Sequence, residues 1–146
     1  MAPPTDDPAS ALNEVLSEVI DLVQDVKQAH RKVAESHTLH AELDQLFIDL
    51  RTWAQMLYEQ DEGLGISPLS SMPSVAGRKP PNLWPGEPTD AEVSALIDAH
   101  LARLEEHVVA SMVALDDGPV RAALAGVETG VLAHRATLGG AYRPDR

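Results

Sequence analysis

The chain contains no cysteine. That excludes a disulfide scaffold, a thiol nucleophile and a cysteine zinc site. Aromatics are scarce at 3%, namely Phe47, Trp53, Tyr58, Trp84 and Tyr142, too few to build a platform on which nucleic-acid bases stack. Basic residues are also few: 11 Lys and Arg stand against 23 Asp and Glu, a net charge of −12. So acidic a surface repels phosphate backbones and anionic lipid headgroups, and neither nucleic acid nor membrane is an expected partner. No apolar run approaches the roughly 18 residues of a membrane-spanning helix. The first residues lack a basic start followed by an apolar block, so no secretory signal is read and a cytoplasmic location is expected. The phosphate-cradling, dinucleotide and nucleophile-elbow glycine motifs are missing as well.

What is present is one domain's length, 146 residues, with 44% apolar composition. That is enough to bury a core without staples. Leu12, Leu16, Val19, Val23, Val26, His30, Val33 and His37 recur at alternating spacings of 4 and 3, the inward seam of a helix. A second seam runs through Leu39, Leu43, Leu46, Leu50, Trp53 and Leu57, out of phase with the first. The phase jump predicts two helices, over 11–36 and 38–60, with a tight break near Ser36–Thr38. A third helix is expected over 90–116, with Val93, Ile97, His100, Leu104, Val108, Met112 and Leu115 inward, behind a Thr89-x-x-Glu92 capping box. Pro119 restarts the chain into a fourth helix over 119–138, with Val120, Leu124, Val127, Val131, His134 and Leu138 inward and Gly139-Gly140 as its stop.

Residues 1–10 read as a loose leader with Asp7 or Ser10 as a helix cap, and 141–146 as a short polar tail. Residues 61–89 hold the glycines and prolines that exclude helix, and form a long connection between helices two and three. Trp84 within it is expected to anchor the connection over one end of the bundle. The fold class expected is all-α: a single four-helix bundle over 11–140.

Three stretches of the first hairpin carry a family likeness: Leu12-Asn13-Glu14-Val15-Leu16, Asp25 to His37, and Leu39 to Gln60. The second hairpin continues it through Arg103-Leu104-Glu105-Glu106-His107, Ala114-Leu115-Asp116-Asp117, Val120-Arg121 and Ala133-His134-Arg135. The sequence resembles a small bacterial family of ferritin-like proteins, and the likeness covers all four helices. The resemblance implies a ferritin-like bundle in which the long connection makes helices two and three parallel. It also implies an accessory or stress-related role, the family having no settled activity. The connection departs from that pattern, being rich in proline where relatives carry a short helical segment.

The informative oddity is histidine. Of the 6 histidines, His30, His37, His100, His107 and His134 fall on or beside inward seams, with His40 just off one. A polar seam residue is unfavourable unless partnered, and bundles build metal sites from inward histidine and carboxylate. If the connection crosses over, axial rise places His30, Asp49, His100 and His134 at one level. In a simple up-down bundle His30, Asp49, His107 and Glu128 share a level instead. These six are the candidate metal ligands, for iron, manganese or zinc.

A di-metal ferroxidase centre of the Glu-x-x-His type is not expected. Lys27, Ala34, His37, Ile97, Leu104 and Val131 stand three residues before the histidines, and none is glutamate. His37-x-x-His40 has ligand spacing but lies at the predicted turn. Of the His-x-x-x-carboxylate pairs a haemerythrin-like centre uses, only His40 to Asp44 fits. The plainer expectation is that each histidine is satisfied by a nearby carbonyl or carboxylate. Glu42, Asp49, Glu105, Glu106 and Glu128 would then be solvated or salt-bridged.

Gly126 and Gly130, among Ala122, Ala123 and Ala125, make a smooth strip for close helix approach, within the bundle or across a homodimer. Function has two readings. The first is a ferritin-like bundle, non-catalytic or weakly metal-binding. The alternative is a metal-dependent oxidoreductase or metal-storage protein with a variant histidine/carboxylate site. They differ by whether the seam histidines converge.

Overall fold

The computed structural model describes residues 8–63 and 87–141. The leader before Pro8, the connection over 64–86 with Trp84, and the tail after Ala141 lie outside the described residues. Four helices are present and, among the described residues, no strand: α1 (Pro8–Lys32), α2 (His37–Gly63), α3 (Asp90–Val113) and α4 (Pro119–Ala141). The protein is an all-α four-helix bundle.

The seams read from the sequence form the core. Leu39, Leu43, Leu46, Leu50 and Leu57 are fully buried, and Trp53 nearly so. They meet Leu12, Leu16, Val19, Leu22 and Val26 of α1, Val93, Ile97, Leu101, Leu104 and Val108 of α3, and Leu124, Val127, Val131 and Leu138 of α4. Each buried leucine contributes roughly 1.5–3 kcal/mol. The capping box forms: Thr89 Oγ1 accepts from the Glu92 amide at 3.1 Å, and the Thr89 amide donates to Glu92 Oε1 at 2.9 Å.

Several boundaries differ from expectation. α1 begins at Pro8, because proline suits the first turn of a helix. It stops at Lys32 rather than at residue 36: the Val33 amide still bonds the Ala29 carbonyl, but Asp90 of α3 takes the amides of Ala34, Glu35 and Ser36. Ser36 caps α2, its hydroxyl accepting from the Leu39 amide at 3.1 Å. His37 is exposed rather than on the seam. α3 ends at Val113, closed by a Leu115 amide bond to the Met112 carbonyl at 3.1 Å. α4 runs through Gly139 to Ala141, with Leu138 packed in the core beside it.

Polar rungs fix the topology. Glu18 meets His107 and Asp25 meets His100, so α1 and α3 are antiparallel. Asp49 meets His134 and Trp53 meets Gly130, so α2 and α4 are antiparallel. Ser94 meets Leu138 and Asp98 meets Arg135, giving the same relation for α3 and α4. With α1 and α2 joined by a tight corner, α2 and α3 run parallel. The bundle is up-down-down-up, with α1 beside α2 and α3, and α4 beside α2 and α3.

Candidate metal centre

The α1–α2 corner holds neither glycine nor proline, yet the chain reverses within residues 33–36. Its exposed amides are taken up from across the bundle. The Asp90 carboxylate accepts from the amides of Ala34, Glu35 and Ser36 at 2.9, 3.1 and 2.8 Å. Burial pushes the Asp90 carboxyl up, but the three amide bonds, with the field of His40, outweigh it and hold the group below the ordinary carboxylate range.

Around this corner one group of metal-ligand atoms converges among the described residues. His30 of α1 and His40 and Asp44 of α2 each offer an atom, all within 4.8 Å of one another. The two imidazole rings lie 3.8 Å apart, centroid to centroid, tilted by 50°. His30 Nε2 is 2.8 Å from Asp44 Oδ1. That nitrogen is nonetheless a buried atom without a hydrogen-bond partner, the carboxylate lying off the N–H line. The two atoms are thus in ion-pair contact without an aligned hydrogen bond, a pairing open to replacement by a shared ion. An ion bonded at about 2.1 Å holds its ligands roughly 3.0–3.4 Å apart, a little closer than the 4.8 Å within which these three atoms lie. Asp44 is exposed, which leaves the outer side of the site open.

The other histidines are paired one by one. His100 Nδ1 meets Asp25 Oδ2 at 2.6 Å, and His107 meets Glu18. His134, 6% exposed, is held between Glu42 Oε1 on Nδ1 and Asp49 Oδ2 on Nε2, both at 2.6 Å. This buried side chain thus has both ring nitrogens engaged by carboxylates of α2. The edge of Trp53 lies against it.

The layers read from axial rise therefore do not assemble. Asp49, His100 and His134 do share a level in the crossover bundle. But His100 is in the α1–α3 wall and His134 and Asp49 in the opposite α2–α4 wall, with the apolar core between. His30 sits roughly 7.5 Å higher, five residues beyond the Asp25 level. The set with His107 and Glu128 fails because it needs the other topology. Glu128 is half-buried on α4, and His107 is exposed with Glu18 as its partner. Equal height on four helices does not make an equal place, because each side chain also has an azimuth.

Of the six candidate ligands only His30 joins the convergent trio. His40 and Asp44 were legible as the one His-x-x-x-carboxylate pair in the chain. What hid them was the corner, since periodicity says nothing about how a break folds α2 back on α1.

No protein-family model and no curated protein sequence matches this chain. In three dimensions it is similar to a solved structure of Dps from Microbacterium arborescens in the high iron form. The TM-score is 0.78 at 22% identity, over 96% of each chain. Among the described residues no helix is long and apolar enough to cross a membrane. The helix order, the parallel α2 and α3 and this likeness together give the chain the ferritin-like four-helix-bundle fold.

Proposed function

We propose that this chain is an iron-binding protein of the storage or stress-related type, taking ferrous iron at His30, His40 and Asp44. The carrying observation is the convergence of two imidazoles and one carboxylate around a buried His30 nitrogen that lacks an aligned hydrogen bond. Two histidines and one carboxylate with open positions are a donor set that suits ferrous iron. The similar Dps structure, a high iron form, supports the choice of metal. The remaining open positions face solvent, as uptake and release of a cargo ion require.

Ligation needs an imidazole nitrogen free of its proton, so uptake should release protons. His40→Ala is expected to weaken Fe²⁺ binding, measured anaerobically by calorimetry, by more than the ~10–100-fold typical of losing an outer partner. His107→Ala, far along the bundle, should bind as the parent does. Equal affinity in the parent and His40→Ala would remove the reading.

Self-association belongs on the outer face of α2 in this reading. Asp44, Ile48, Arg51 and Gln55 follow one another there at helical spacing, and Ile48 is 55% exposed. A second copy on this face would cover Ile48. Ile48→Asp is expected to lower the solution mass to that of the 15.7 kDa chain by light scattering; an unchanged multiple would place any interface elsewhere. The Gly126–Gly130 strip is a poorer choice, because Gly130 is already used against Trp53 inside the bundle.

A further inference from the structure

We propose that Asp90, contributed by the second hairpin, is the positioning residue of the metal trio: it holds the α1–α2 corner in the shape that sets His40 against His30. The inference rests on the iron reading above and adds a residue that is not itself a ligand. His30 lies two residues before the end of α1, and His40 is the fourth residue of α2. Their separation is therefore set by the corner between them. The corner has no proline and no glycine turn, and its local support is the Ser36 cap on the first turn of α2.

Three successive amides there, those of Ala34, Glu35 and Ser36, converge on one carboxylate more than 50 residues away in sequence. Asp90 is 8% exposed. Its own backbone is fixed at the first position of α3 by the adjoining Thr89–Glu92 capping box. The amides of the chain reversal are thus satisfied from a fixed helix start on the other hairpin. The corner passes that constraint on, because the His40 amide bonds the Ser36 carbonyl at 3.0 Å. Removing the carboxylate frees three amides at once and cuts the tie that holds the corner to α3. His40 would then swing from His30, and the shared ion position would be lost while the core stays packed.

The test uses the full chain, with Zn²⁺ as an air-stable probe of the same donors. Asp90→Ala is expected to lower Zn²⁺ affinity about 10–100-fold, the range for lost outer-shell support. Asp90→Asn, which keeps an acceptor oxygen, should recover part of it. In the metal-free protein the nuclear Overhauser contact between the His30 and His40 rings should vanish in Asp90→Ala. The signals of His100, paired with Asp25, should hold. Leu57→Ala, in the core at the far end of α2, serves as a control that lowers stability without touching the corner. It should keep both the ring contact and the affinity. Asp90→Ala with ring contact and affinity intact overturns the Asp90 assignment alone, as does equal loss in Leu57→Ala. A parent protein that binds neither Zn²⁺ nor Fe²⁺ overturns the iron reading, and with it the part of Asp90 in metal binding.

Discussion

Gly130→Leu is expected to destabilise the bundle by about 3 kcal/mol or more, the upper end of overpacking penalties. A Cβ built on Gly130 would stand 2.2 Å from Trp53 Cζ2 and 3.0 Å from Cε2. Real Cβ atoms do not come so close, so something has to move. The neighbour is a bulky indole, 9% exposed, with His134 at its edge. A shift of the indole would press on that histidine, which Glu42 and Asp49 hold. Even Gly130→Ala should be destabilising, despite the roughly 1 kcal/mol that alanine brings to a helix interior. Gly126, one turn earlier, meets nothing within 4 Å of the same added atom. Gly126→Ala is therefore expected to stabilise by up to about 1 kcal/mol. Urea unfolding of the three variants measures this contrast. Equal effects at the two glycines would show that Trp53 does not pack against Gly130 in solution.

Asp61→Asn is expected to raise stability by up to about 3 kcal/mol above pH 7, and to change it little near pH 4. Asp61 continues the α2 seam one turn beyond Leu57, where a leucine would be ordinary. It is 0% exposed, and neither carboxylate oxygen has a hydrogen-bond partner. Desolvation pushes its pKa up from 3.8 to about 6. A raised carboxyl pKa means the folded chain holds this proton when the unfolded chain has lost it. The associated stability is fully present below pH 3.8 and is lost as pH rises through about 6. Two pKa units correspond to about 3 kcal/mol. Asparagine carries no charge at any of these pH values, so the difference between variant and parent isolates the carboxylate. The measurement is chemical denaturation of both proteins from pH 4 to pH 8. Parallel stability curves would mean that Asp61 stays paired or hydrated in the fold.

The reach of the sequence is seen best at particular residues. Leu39 to Leu57 lie on one face because a helix repeats every 3.6 residues, a property of the local chain. Those leucines are buried as their spacing predicts. Thr89 and Glu92 cap α3 because both partners sit within one turn. Such features depend on neighbours in sequence, and so they are legible there. The phase jump after His37 signalled a break for the same reason. Its placement was approximate, because the amide acceptor that ends α1 is Asp90, more than 50 residues away.

The sequence by itself thus determined the helices, their apolar faces, their acidic surface and a supply of histidines among them. Only the tertiary structure decided which histidines meet. His30 with His40 and Asp44, and His134 with Glu42 and Asp49, are matters of azimuth and axial offset between helices. Those quantities are set by non-local packing: the parallel course of α2 and α3, the seat of Trp53 on Gly130, and the reach of Asp90 across the hairpins. A helical period fixes the face a residue occupies on its own helix. The residue it faces depends on how the core packs.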